Sequence, residues 1–197
     1  MDISAKMVKE LRERTNAGMM DCKKALTECG GDMDKAAEYL RKKGIAAAAN
    51  KEGRQTSQGI VDAYIHPGGR VGVLVEVACE TDFVARTEDF QTLVHNIAMH
   101  IAAAAPVAIS RDEVDTELVE KEREIYRAQM REQGKPENII DKIVEGKIDK
   151  YFSEVCLLEQ KFVKDPEVTI ENYLKSVIGK LRENMVIKRF ARYEIGR

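Results

Sequence analysis

The chain of 197 residues is short of several things that would announce a function. Its four cysteines, Cys22, Cys29, Cys79 and Cys156, form no C-x-x-C pair and have no histidine at ligand spacing. That spacing does not point to a structural zinc site, and buried free thiols in a reducing compartment are expected. There is no large surplus of either charge: 32 basic residues stand against 34 acidic ones, for a net charge of −2. The ends are mildly basic and the middle mildly acidic, so no segment can track a nucleic-acid backbone. The longest apolar run, Ile101 to Ile109, is interrupted by Pro106 and is too short to span a bilayer. The opening MDISAKMVKELRER has neither an apolar signal core nor the acid-poor character of a transit peptide. A cytoplasmic location is the expectation.

Catalytic motifs are missing as well. The sequence contains no G-x-x-x-x-G-K-[ST] loop, no G-x-G-x-x-G, no H-E-x-x-H and no nucleophile beside a credible base. Its three histidines are scattered, and His95 and His100, five residues apart, do not share a helix face as a metal pair would. Neither an enzyme, a cofactor nor a metal is indicated. Hydrophobic residues at 44% and charged residues at 34% describe a helix-rich protein that can bury a real core.

What is present falls into five stretches. Residues 1–44 read as three short helices: Ile3, Met7, Val8 and Leu11 form the first apolar face, and the Thr15–Gly18 turn ends it. A second helix stops at Gly30-Gly31, and Asp32 caps a third that Gly44 should terminate. Residues 45–58 are rich in Ala, Lys, Gly, Gln and Ser and read as a short helix running into a flexible linker. In 59–110, two β-type runs flank His66-Pro67-Gly68-Gly69-Arg70, a hairpin signal, and a helix follows to Ala105. Residues 111–156 give two helical stripes about a turn at Gly134-Lys135-Pro136. Val114, Leu118, Ile125 and Gln129 make the first stripe and a richer set from Ile139 to Val155 the second, an antiparallel hairpin projecting from the body. In 157–197 a helix capped at Thr169 precedes an alternating run at Phe190–Ile195, the third strand of the sheet. The fold class is α+β.

The stretch from Val75 to Phe90 organises the rest. A β-rich run ends at Cys79, Thr81 or Asp82 can cap the helix that follows, and a carboxylate and a large ring are left together at a strand-to-helix corner. On spacing alone, Phe83 belongs either in the core with Phe90, Val94, Ile97 and Ile101, or outside as a contact residue. Met19 and Met20 pose the same choice at the start of the second helix, as core fillers or an adaptable contact surface. His66 sits at the hairpin turn, either as an ordinary surface residue or as a contact.

The run Leu11-Arg12-Glu13-Arg14-Thr15-Asn16-Ala17-Gly18-Met19-Met20-Asp21-Cys22-Lys23-Lys24-Ala25-Leu26 closely resembles the N-terminal signature of the elongation factor Ts family, and Thr81-Asp82-Phe83-Val84-Ala85 resembles its second signature. The His66–Val75 hairpin, the Ile97–Ala103 helix, Gly134-Lys135-Pro136 and the closing strand also look like family segments. This resemblance implies a guanine-nucleotide exchange factor of translation whose partner is elongation factor Tu, met in its GDP-bound and nucleotide-free states. It implies a ubiquitin-associated-like N-terminal bundle and a sheet covered by helices. Thr81, Asp82, Phe83 and Val84 would dislodge the partner's Mg²⁺, the ring prying partner helices apart. Arg12, Met19, Met20 and Lys23 would dock the bundle on the partner's nucleotide domain, and His66 matches a core contact. Long members repeat the core subdomain and this chain has one sheet unit, so a homodimer would supply the second. The contrasting reading is a non-catalytic interaction module that uses its bundle and hairpin on another target. That reading is indifferent to Asp82 and Phe83, whereas an exchange factor needs them exposed.

Overall fold

The computed structural model describes residues 3–15 and 17–196, in which eight α-helices and five strands are formed. Asn16, part of the expected Thr15–Gly18 turn, lies outside the described residues. The first helices are α1 (Ala5–Thr15), α2 (Met19–Glu28) and α3 (Met33–Ala49). Asp32 caps α3 as its position before the apolar periodicity predicts, its Oδ1 accepting from the Asp34 and Lys35 N–H groups at 3.1 and 3.0 Å. Val8, Leu11, Cys22, Ala25, Leu26 and Ala36 form the bundle core, with Met33, Ala37 and Leu40 partly buried against it.

The hairpin strands β1 (Gln58–Ile65) and β2 (Val71–Cys79) follow, then α4 (Asp82–Ala85) and α5 (Glu88–Ala104). Next come α6 (Thr116–Glu132), α7 (Glu137–Val155), the strands β3 (Lys161–Phe162) and β4 (Asp165–Thr169), α8 (Ile170–Leu181) and β5 (Met185–Glu194). The main sheet is antiparallel in the order β1-β2-β5, so the last strand returns to the far side of the hairpin. The fold is α+β, and the small antiparallel β3–β4 ribbon is an addition the sequence pattern did not suggest.

Two compact units are formed. One comprises Met1–Ile60, Val77–Val94 and Asn172–Lys188, and the other Val61–Glu76, His95–Glu171 and Arg189–Arg197. In the first unit α3 does not stop at Gly44 but runs on to Ala49. The glycine serves packing instead. A Cβ on Gly179 of α8 would lie 2.6 Å from the Gly44 carbonyl oxygen and 2.7 Å from its Cα, so two glycines let the helix backbones touch. Residues 45–49, the helical start expected of the 45–58 stretch, are thus a continuation of α3 and not a separate helix.

In the second unit the part of α5 from His95 onward lies against one face of the sheet. His95 meets Asp62 of β1 at 3.1 Å, and the Arg192 guanidinium of β5 donates to the Ala102 carbonyl at 3.1 and 3.2 Å. The opposite face carries Val61, Ala63 and Ile65 of β1, Gly72, Leu74 and Glu76 of β2, and Arg189, Ala191, Tyr193 and Ile195 at the end of the chain. Residues two apart share a face, a Gly72 Cβ would touch Ile65 Cδ1, and Arg189 pairs with Glu76 at 2.7 Å, which places the three strands in common phase. Val61, Ile65, Leu74, Tyr193 and Ile195 are all exposed there.

The helical hairpin also lies in the second unit. Val119, Met130, Ile140, Val144 and Ile148 are its buried seam, with Tyr126, Ile143, Tyr151 and Phe152 partly buried against it. The stripe on α6 is thus one residue away from that expected: Leu118 and Ile125 face solvent. Both stripes of α6 are sparse, and the one containing Tyr126 and Met130 brings more area to the seam once they are counted.

Candidate functional site

The corner after β2 is built by hydrogen bonds more than by packing. Thr81 is extended (φ −125°, ψ 155°) and is the N-cap of α4, its Oγ1 accepting from the Val84 N–H at 3.4 Å. Asp82 opens the helix and pairs with Arg86 at 2.9 Å, one turn on. The helix then ends, because Thr87 caps a second one: its Oγ1 accepts from the Phe90 N–H at 3.3 Å. The expected continuous helix from Phe83 to Ala105 is therefore broken at residues 86 and 87. In an unbroken helix Phe83 and Phe90, seven residues apart, would share a face. With the break, Phe90 is fully buried and Phe83 is 80% exposed. Of the two readings for Phe83, the exposed one is realised.

The base of the corner is polar. One carboxylate, Glu183, accepts both from the Thr81 backbone N–H (3.0 Å) and from its hydroxyl (2.6 Å). The Asn184 N–H donates to Glu80 Oε1 at 2.6 Å, and its side-chain amide donates to the Arg54 carbonyl at 2.8 Å. Behind these, the Cys79 thiol donates to the Thr81 carbonyl at 3.1 Å; burial, and then the nearby charge of Glu183, push this thiol up from its ordinary pKa. The four cysteines are all free, and Cys22, Cys79 and Cys156 are buried.

The other expected contact residues of the first unit are on its surface. Met20 is 76% exposed and Met19 about half exposed at the first turn of α2, while Arg12 and Lys23 are also exposed. Two large apolar chains in water, with Lys23 one turn further along α2, suit an adaptable contact surface better than a core. Arg12 lines a polar cleft of about 420 Å³ with Glu88, Asp89, Thr92 and Lys180, so it stands beside the first turn of the helix that follows the Phe83 corner. Asp21 ties α2 to α3 and to the end of α8, through Lys43 at 2.8 Å and Arg182 at 3.9 Å. The Lys43 hydrogen bond holds the Asp21 carboxyl below its ordinary pKa and raises that of Lys43 in turn. Arg12, Met19, Met20, Lys23 and Thr81–Val84 thus belong to one unit, and His66 belongs to the other. His66 is exposed at the β1–β2 turn, with Nδ1 3.2 Å from the Tyr64 hydroxyl.

Glu183 and Asn184 escaped the sequence reading. They lie 102 and 104 residues from Thr81 and Glu80, their hydrogen-bond partners at the corner, and no local pattern marks them. Among the described residues, no group of three or more His, Cys, Asp and Glu side chains is placed to hold a metal ion, and no helix is long and apolar enough to cross a membrane.

The arrangement offers a surface with an exposed ring, a flanking carboxylate and a methionine pair, and that is the equipment of a protein that acts by binding. The family described as "Elongation factor TS" matches residues 46–197. Among curated relatives, an elongation factor Ts of Geobacter sulfurreducens is 59% identical over 196 residues, spanning 100% of this chain and 91% of the relative. One of Desulfosudis oleivorans is 57% identical over 194 residues, with 98% of each chain covered. One of Thermoanaerobacter sp. (strain X514) is 60% identical over 194 residues, covering 98% of this chain and 95% of the relative.

Proposed function

This chain belongs to the elongation factor Ts family, and from that premise we infer how its surface performs nucleotide exchange. It is a translation elongation factor that acts as guanine-nucleotide exchange factor for elongation factor Tu. The observation that carries the mechanism is the exposure of Phe83 on a corner held rigidly from below. A ring left in water gains about 1.5–3 kcal/mol when a partner pocket buries it. That gain is available only in the complex, so it can be set against the partner's hold on its nucleotide.

In this mechanism Phe83 enters between partner helices, while Thr81, Asp82 and Val84 follow it towards the Mg²⁺ that the partner holds with GDP. Displacing that ion loosens the phosphates. Arg12, Met19, Met20 and Lys23 dock the α1–α3 bundle, and His66 adds a contact from the second unit. A thousandfold faster release requires only about 4 kcal/mol of differential destabilisation. By linkage, bound nucleotide weakens the factor's grip by the same factor, so the cycle turns over without chemistry on this chain. GDP-bound and nucleotide-free elongation factor Tu are both partners, the second held more tightly.

The exposed sheet face supports a second statement, that two copies pair through Val61, Ile65, Leu74, Tyr193 and Ile195. A two-fold contact places the same patch on both sides, and an apolar face with one Glu76–Arg189 pair is suited to meet itself. Sedimentation should find a dimer that Leu74→Lys dissociates; a monomer with full exchange activity overturns the pairing.

The mechanism is tested by release of a fluorescent GDP analogue from elongation factor Tu. The factor should accelerate release strongly, and Phe83→Ala should lower the acceleration by about tenfold or more. Undiminished exchange by Phe83→Ala overturns the wedge, and no acceleration by the unaltered chain overturns the function.

A further inference from the structure

We infer that Glu183 is a positioning residue for exchange: its carboxylate, reaching Thr81 from the α8–β5 connection, sets the direction in which Phe83 is presented. This rests on the reading of Phe83 as the exchange wedge. A ring that is 80% exposed has little packing to hold it, and α4, which carries it, has only four residues. So short a helix has no stability of its own. Its course is set by its cap, and the cap bond from the Val84 N–H is long, at 3.4 Å.

Glu183 supplies what that cap lacks. The Thr81 hydroxyl has one hydrogen and two lone pairs. Its hydrogen goes to Glu183 Oε1 at 2.6 Å, which turns a lone pair towards the Val84 N–H. Glu183 Oε2 takes the Thr81 N–H at 3.0 Å. One carboxylate therefore fixes the peptide plane and the side-chain rotamer of the capping residue together, through bonds to an ionised acceptor that are stronger than neutral ones.

The carboxylate is itself held in place. Arg182, just before it, has φ +62°, a left-handed conformation that a non-glycine residue adopts only when its surroundings impose it. Asn184, just after it, is buried and is fixed at both ends, by Glu80 Oε1 and by the Arg54 carbonyl. Strained backbone flanked by a buried residue anchored through both its backbone N–H and its side-chain amide is a costly way to join a helix to a strand. It is accounted for if the connection has to deliver one carboxylate to one point.

A double-mutant cycle in the GDP-release assay, on the full chain with elongation factor Tu, tests the role. Glu183→Ala should lower the maximal exchange rate by about five- to tenfold, the loss of bonds to a charged acceptor. In the Phe83→Ala background the same change should cost less than about twofold, because the ring it aims is gone. The factor concentration giving half-maximal rate should move less than the maximal rate does. Glu183→Gln, which keeps an acceptor and the shape, should fall between and remains informative if the alanine variant fails to fold. Equal losses from Glu183 replacement in both backgrounds would assign it a purely structural role and overturn the inference, as would an unchanged rate in the single variant. Full activity of Phe83→Ala itself is a different outcome, which removes the wedge and not merely its support.

Discussion

At the corner after β2 the largest apolar side chain faces solvent, while a carboxylate on the inside holds the backbone. Along α6 and α7 the arrangement is reversed: the apolar chains face each other and the carboxylates lie outside. The acids of α7 recur every four residues, at Glu137, Asp141, Glu145 and Asp149, and meet Arg131, Arg127, Arg123 and Arg111 in turn. Period-four spacing makes a single row along a helix, so the antiparallel α6 can match its first three members, while Arg111, which meets the fourth, precedes α6. The difference shows that charge does two jobs in one chain. In the hairpin it borders a seam that hydrophobic burial already stabilises. At the corner it replaces burial, which has to be withheld so that the ring is free for a partner.

The sharpest way to break this contrast is to truncate its two phenylalanines. Phe90→Ala should cost about 3–5 kcal/mol of stability in a denaturant titration, whereas Phe83→Ala should stay within about 0.5 kcal/mol. Similar costs for both would mean that the corner is packed after all. Ile148→Ala, in the buried seam of the hairpin, should cost about 2–5 kcal/mol. Exchange per folded molecule should nevertheless stay within about twofold. A larger fall would bring the hairpin into the exchange site.

Between pH 7.5 and 5.0 acidification acts on the second unit through His100. His100 is buried, with Nε2 2.9 Å from Gln160 Oε1 and Nδ1 accepting from the Val163 N–H at 3.3 Å. Gln160 donates in turn to the Glu154 carbonyl, near the end of α7, at 2.7 Å. Those partners suit a neutral ring, and burial holds His100 below its ordinary value, with the Gln160 bond opposing more weakly. The unfolded chain therefore takes up this proton first. The contribution is complete above about pH 6.5 and is lost as pH falls from there towards the folded value. Denaturant titrations at pH 7.5 and 5.0 should show a stability difference that shrinks in His100→Gln; an unaltered difference would show that the ring is not responsible.

The smallest effect belongs to the ladder. A cycle on Arg127 and Asp141, an exposed pair at 3.2 Å, should give a coupling below about 1 kcal/mol at low salt that fades in about 1 M salt. A larger, salt-resistant value would make the ladder a source of stability and not only of register.

Much of this is legible in the sequence. The Asp32 cap, the turn at His66–Arg70, the Thr81 cap and the alternation at Phe190–Ile195 are local signals, and each marks the element it should. Other features needed knowledge of what lies opposite. Gly44 has the chemistry of a helix stop, and only the approach of Gly179 shows why the helix continues through it. Thr87 is a modest capping residue inside a strong helical period, so the break that separates Phe83 from Phe90 was hidden by the very spacing that suggested a helix. On α6, two sparse stripes one residue apart competed, and α7 chose between them.

By itself, the sequence determined that this protein is α+β, that a capped corner bearing Asp82 and Phe83 follows the β-rich run ending at Cys79, and that it resembles an exchange factor. Those properties are carried by residues within a turn or two of one another, where propensity, capping and periodicity act. The tertiary structure alone decided that Phe83 points into solvent and that Glu183 stands under it. Contacts between groups about a hundred residues apart leave no periodic trace in the chain; they come into being only when the fold closes and a carboxylate on one segment meets the hydroxyl and amide of another.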